Sequence, residues 1–299
     1  MKGPFTIPDA KKIRVIINTD AKNEADDQFA IVQALLSPRL LVKDITAAHF
    51  GTRRTEHSME ESYDEVVKVL KLMELADTVP VSKGAERALT DTTTPQPSEA
   101  ADKLIAEALS TEDERPLFVI FLGPITDLAT AYLQEPAIAD KLTAIWIGGG
   151  AWPDGEMEFN LSNDIHAANV VFQSPIPLWV VPRDVYSSIR VSIAELAVKV
   201  RPYGEVGKYL FDQLVDFNHK LGHNPHWPKG EMWSLGDSPA VSLLLDDHEY
   251  CYTMRPAPQV NADMTYSHVQ TERLVRWYHY VDRTFTLEDL YAKLKLHYG

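Results

Sequence analysis

Cysteine is almost missing from this chain. Cys251 is the only one among 299 residues, so no internal disulfide can form and no thiolate cluster can hold a metal. Positive charge is also scarce. Lys and Arg number 29 against 43 Asp and Glu, a formal net charge of −14. A phosphate backbone or an anionic membrane surface needs a basic footprint, so nucleic acid and membrane are not expected partners. No apolar run reaches transmembrane length, and the opening MKGPFTIPDAKK has no apolar stretch of signal-peptide length. These features lead to the expectation of a soluble, cytoplasmic protein. Internal repeats, low-complexity tracts and a convincing domain boundary are lacking too, so residues 1–299 are expected to form a single domain.

What the chain does have is alternation. Apolar strand candidates fall at 13–17, 42–48, 78–81, 117–122, 142–147 and 177–181. Most are continuous rather than alternating, as in a parallel sheet covered on both faces. Helix-period segments lie between them at 26–36, 58–75, 98–109, 125–133 and 164–172. This order predicts an α/β fold with a doubly wound, mostly parallel sheet flanked by helices. Further helices are expected at 193–200, 205–221 and 238–245, with a loop over 222–230. A short β/α extension closes the chain, a strand at 273–281 and a helix at 287–296.

Ligands of open parallel sheets bind outside the carboxyl ends of the strands. The residues after the first strand are Thr19-Asp20-Ala21-Lys22-Asn23-Glu24-Ala25-Asp26-Asp27. Two readings compete. Asn23 can cap the next helix, with Asp26 as its reciprocal partner and the helix dipole favouring Asp26 and Asp27. Capping leaves Asp20 unexplained on the same rim. Crowded carboxylates raise one another's pKa unless a cation neutralises them, and a hard cation with oxygen ligands resolves the repulsion.

Four segments in order carry a resemblance. The Asp20 to Asp27 stretch resembles the Asp-x-Asp-Pro-Gly-x-Asp-Asp signature of the inosine–uridine nucleoside hydrolase family. Gly123-Pro124-Ile125-Thr126-Asp127-Leu128-Ala129 resembles that family's Gly-Pro-Leu-Thr-Asn-Leu-Ala. Gly148-Gly149-Gly150, then Glu158-Phe159-Asn160 and Asn163-Asp164, resemble its Gly-Gly, Glu-Phe-Asn and Asp segment. Gly236-Asp237-Ser238-Pro239-Ala240-Val241 resembles its His-Asp-Pro-x-Ala-Val. The similarity runs from about residue 13 to 245 and identifies a divergent member.

The resemblance implies a calcium-dependent N-glycosidase that hydrolyses a nucleoside, or a related N-glycoside, to ribose and free base. In that family a calcium ion at the strand rim binds a water and the ribose hydroxyls. By resemblance the ligands here are Asp20, Asp27, Asp237 and the main-chain carbonyl of Leu122, with Asp20 also the general base. Asp26 would bind ribose hydroxyls, and Glu158 and Asn160 would hold the sugar. Homo-dimers or homo-tetramers are implied as well. Acidic groups around the ring favour the oxocarbenium character that N-glycoside cleavage builds.

The match also departs from the pattern. Five residues, Ala21 to Ala25, separate Asp20 from Asp26 where the family has three, and the first motif position is Asn18. Asp26 and Asp27 can therefore exchange roles. Trp152 replaces a family asparagine and is taken as substrate-binding, as is His49 after the second strand. Gly236 stands where the family has a histidine that is a candidate proton donor to the leaving base. The donor must then come from elsewhere, with His223, His226 and Glu231 as candidates and Trp227 and Trp233 available to stack on a base; otherwise the leaving group needs less help. His166 is read as structural. A non-catalytic, metal-dependent sugar-binding protein of the same fold, or a hydrolase of another glycoside, is the alternative.

Overall fold

The computed structural model describes residues 5–224, 230–247 and 250–299. Its eight-stranded sheet runs in the order β3-β2-β1-β4-β5-β6-β12-β9. The strands are β1 (Ile13–Thr19), β2 (Leu40–Ala47), β3 (Val81–Lys83), β4 (Leu117–Phe121), β5 (Leu142–Ile147), β6 (Leu178–Val181), β12 (Leu274–Tyr278) and β9 (Tyr252–Pro256). Every neighbouring pair is parallel except β12 with β9. Two small antiparallel pairs lie outside this sheet: β7 (Arg190–Ser192) with β8 (Met232–Ser234), and β10 (Gln259–Val260) with β11 (Tyr266–Ser267).

The helices are α1 (Asp27–Leu35), α2 (Ser58–Leu72), α3 (Glu99–Leu109), α4 (Thr126–Gln134), α5 (Phe159–Asn163), α6 (Ile165–Gln173), α7 (Arg183–Tyr186), α8 (Ile193–Lys199), α9 (Gly204–Leu221), α10 (Ser238–Leu245) and α11 (Arg283–Tyr298). Side chains of a strand alternate between faces, and β1 shows why the central runs are apolar on both. Val15 and Ile17 join the core beneath α1, α10 and α11, while Ile16 joins the core beneath α3, α4 and α6. Both faces are covered, and the buried polar side chains of this strand, Arg14, Asn18 and Thr19, are each hydrogen-bonded, to Glu107, to Thr46 and Asp127, and to Asp27 respectively.

Most sequence-derived elements agree within a few residues. The third strand does not: expected at 78–81, it lies at Val81–Lys83. Pro80 cannot donate to the ladder, and it serves only as an acceptor, its carbonyl taking the Ile45 N–H at 3.1 Å. Among the described residues no helix is long and apolar enough to cross a membrane.

Candidate active site

The chain leaves β1 at Thr19 and does not enter α1 directly. The loop of residues 20–26 between them is tied down at several points. The Asn23 N–H donates to the Asp20 carbonyl at 2.7 Å. Lys22 Nζ binds Glu65 Oε2 at 2.7 Å, and Gln28 Nε2 donates to the Ala21 carbonyl at 2.6 Å. Gln213 Nε2 donates to the Ala25 carbonyl at 2.8 Å, and the Arg54 guanidinium donates to the Asn23 carbonyl. The longer loop is thus braced from α2 and α9. Asp26 occupies the N-cap of α1, yet no side chain caps the helix, and Asn23 Oδ1 is buried with no partner. Helix capping therefore does not account for the acids.

What the acids do is converge. Carboxylate oxygens of Asp26, Asp27 and Asp237 all lie within 4.8 Å of one another, and all three residues are buried. They line one cavity together with Asp20, Asn23, Glu24, Leu122, Glu158, Phe159, Asn160 and Tyr186. Three chain-distant segments meet here because each follows a carboxyl end of the sheet or packs on it. Asp20 follows β1, Leu122 follows β4, and Asp237 stands at the N-cap position of α10, which packs on α1. Gly123 permits the approach: a Cβ there would stand 2.8 Å from Asp20 Cγ.

The electrostatics are unfavourable without a cation. Burial, then repulsion by Asp27 and Asp26, drives the Asp20 carboxyl well above the usual carboxylate range. Burial and then Asp26 do the same to Asp237, and burial and then Glu24 to Asp26. Asp27 rises to about 6, chiefly through burial, although Thr19 Oγ1 donates to it at 2.5 Å. Asp20 Oδ2 is buried with no hydrogen-bond partner. Among the described residues no Lys, Arg or His lines the cavity. Carboxylates, a buried orphan oxygen and a nearby main-chain carbonyl are the donor set of a hard divalent cation, so the cluster fits a metal ion.

A sequence model of the inosine-uridine preferring nucleoside hydrolases matches residues 15–288. This chain belongs to that family. Membership makes the hydrolase an enzyme acting on N-glycosyl bonds, and the match continues past residue 245 into the C-terminal β/α region. It is 30% identical over 238 residues to the pyrimidine-specific ribonucleoside hydrolase RihA of Salmonella paratyphi B, covering 71% of this chain and 73% of the relative. RihA of Escherichia coli O1:K1 is 30% identical over 227 residues, 68% of this chain and 70% of that one. Solved structures share the fold. A purine-preferring ribonucleoside hydrolase from Gardnerella vaginalis superposes with a TM-score of 0.76 at 22% identity, covering 94% of this chain and 98% of the other. The plant nucleoside hydrolase PpNRh1 gives 0.75 at 22%, with the same coverage.

The structure brings together Asp20, Asp26, Asp27, Leu122, Glu158, Asn160 and Asp237 from the sequence-derived set. The tightest trio contains Asp26 rather than Asp20. Glu158 is saturated by donors: Oε1 takes the Asn160 N–H and the Tyr186 hydroxyl, and Oε2 takes the N–H groups of Gly149 and Leu161. Asn160 Nδ2 donates to the carbonyls of Leu122 at 2.7 Å and Ile147 at 2.8 Å, so it orients the proposed main-chain ligand.

Other expected residues lie elsewhere. Trp233 is fully buried in the core, its ring edge-on to Phe217; it takes the inward position of β8 between the half-exposed Met232 and Ser234. Trp152 packs against His268 and Trp277, beside the β9 edge. His49 is buried, donating from Nε2 to Thr126 Oγ1 and accepting the Gly51 N–H at Nδ1. Burial lowers its pKa to about 4, so it is neutral and structural. The side chains of His223 and Glu231 are exposed and line no wall of this cavity. His226 and Trp227 lie outside the described residues. Tyr186 was not singled out in the sequence, although it stands one turn beyond the carboxyl end of β6, where strand-end reasoning points.

Proposed function

We propose that this protein is a calcium-dependent N-ribosyl hydrolase, cleaving a nucleoside or nucleoside-like compound to ribose and free base. The observation that carries the reading is the convergence of Asp26, Asp27 and Asp237 within 4.8 Å beside the unpartnered Asp20 Oδ2. Asp20, Asp27, Asp237 and the Leu122 carbonyl would hold the ion, with Asp26 either completing that set or binding ribose hydroxyls. When bound, a hard divalent cation supplies Lewis acidity that makes water a better nucleophile near neutral pH. Asp20 takes the proton of the attacking water, its Oδ2 having no competing donor. The surrounding carboxylates favour positive charge on the ribose as the C1′–N bond breaks. Glu158 keeps the Gly149 turn, the start of α5 and Tyr186 in place around the sugar, and Asn160 fixes the Leu122 carbonyl.

One nucleoside-hydrolase-like domain working as a homo-dimer or homo-tetramer completes the proposal. Exposed Met254 and Leu274 at the β9 and β12 edge support an interface there. Ribose release from a nucleoside panel in calcium, measured by reducing-sugar assay, tests the reading. Activity that EDTA abolishes and calcium restores is expected. An intact panel with ribose bound would instead indicate a binding protein.

A further inference from the structure

The cavity holds a feature that bears on which ribosides the enzyme takes, on the reading that it is a ribosyl hydrolase. A neutral purine or pyrimidine leaves as an anion unless a side chain protonates it, and such protonation contributes about 10²–10⁴-fold. The described cavity wall has few proton donors. Its polar side chains are carboxylates, two asparagine amides and Tyr186. An amide has no proton to give, and carboxylates gathered around a cation are ionised acceptors. Arg53 and Arg54 lie over the Phe159 ring, 5.5 and 5.6 Å from its centre, but a guanidinium does not release its proton.

Tyr186 is occupied in two ways. Its hydroxyl donates to Glu158 Oε1 at 2.8 Å. Burial, and then the Glu158 charge, push its pKa well above 10, so the phenol keeps its proton. Its ring also closes the wall at Gly236: a Cβ there would lie 2.9 Å from Tyr186 Cδ2. The ring thus fills the space that a donor at position 236 would need. Among the described residues, what remains is an aromatic wall of Tyr186 and Phe159 with carboxylates beside it, including Glu24. Aromatic faces and carboxylates both attract a cation.

We infer that the Tyr186–Gly236 pair tunes this site to N-ribosides whose aglycone is a positively charged heteroaromatic ring, such as a pyridinium, which departs without being protonated. In that reaction the C1′–N bond breaks and its electron pair passes to the ring nitrogen, which becomes neutral. The water oxygen bonds to C1′, and the water proton goes to Asp20 and then to solvent. No acid is required.

The test compares kcat/KM of the calcium-loaded enzyme on nicotinamide riboside, inosine, uridine and 4-nitrophenyl β-D-ribofuranoside. The nitrophenyl compound has a leaving group that needs no proton. The expected result is that nicotinamide riboside and the nitrophenyl riboside exceed inosine and uridine by on the order of a hundredfold. Inosine or uridine cleaved as fast as nicotinamide riboside would overturn the inference while leaving the ribosidase reading intact. All four untouched would overturn the ribosidase reading, and this inference with it. Tyr186→His sharpens the result by placing an imidazole on the same wall. The ratio of inosine to nitrophenyl riboside turnover is expected to rise at least about tenfold; an unchanged ratio in the folded variant counts against the inference.

Discussion

Asp127 and Asp27 are both buried carboxylates in the first turn of a helix that follows a parallel strand, and their surroundings could hardly differ more. Asp127 accepts from Asn18 Nδ2 at 2.9 Å, the Ala85 N–H at 2.9 Å and Ser98 Oγ at 2.7 Å. Asp164 is treated alike, taking the Leu89 and Ala167 N–H groups and Thr126 Oγ1. Asp27 has the Thr19 hydroxyl and otherwise faces Asp26 and Asp237. Burial alone therefore says little about function. A carboxylate surrounded by donors is a structural joint, whereas carboxylates that mainly face one another await a cation.

The largest expected difference between the two regions is in activity. Asp237→Asn should lower kcat/KM by about 10²–10³-fold, the scale of removing one charge-stabilising group from an active site. Because it relieves repulsion, it should leave the melting temperature in EDTA unchanged or higher. Asp127→Ala should do the reverse in thermal unfolding. It strands buried donors of Asn18, Ala85 and Ser98 and is expected to cost about 3 kcal/mol or more. Equal destabilisation by both variants would erase the distinction.

A smaller effect is expected with pH. The Asp27 carboxyl has a folded-state pKa of about 6, above the ordinary 3.8. A raised carboxyl favours the folded state while protonated, so in EDTA this stabilisation is present below pH 4 and is lost as pH rises through 6. For a shift of this size the change is about 3 kcal/mol. Saturating calcium should flatten the slope, and denaturant titrations at several pH values, with and without metal, read it directly.

The smallest effect expected is in an exchange. The family pattern has aspartate at the position of Asn18 and asparagine at that of Asp127; here the two are swapped, and they hydrogen-bond. Asn18→Asp with Asp127→Asn should retain stability within about 1 kcal/mol, while each single change costs more, because only the pair keeps one charge and one amide in contact. Additive single and double effects would contradict that coupling.

Much of this was legible in the sequence, for physical reasons that differ by element. The central strands were readable because both faces are buried, so Ile13–Thr19 and Leu142–Ile147 carry apolar residues on both faces instead of alternating. The edge elements were not. Arg190–Ser192, Met232–Ser234 and Tyr252–Pro256 are short and mixed in polarity, and their pairing depends on residues far away in the chain. The acids were readable because motif spacing places them at strand ends. The aromatic and histidine candidates lie near motifs in sequence but outside the cavity lining: strand alternation turns Trp233 inward, Trp152 packs on the C-terminal Trp277, and His49 is held by Thr126 and the Gly51 N–H. Tyr186 was missed because its role depends on contact with Gly236, 50 residues later, a relation that spacing does not reveal.

The central claim is that acids from the β1–α1 loop and from the start of α10 share one inorganic ion. A crystal structure grown in calcium tests it most directly. The account expects a single ion with oxygens of Asp27 and Asp237 at roughly 2.3–2.6 Å, together with the Leu122 carbonyl and Asp20. Asp237 beyond ligation distance of that ion, or an arginine or lysine head among the four aspartates, would contradict it.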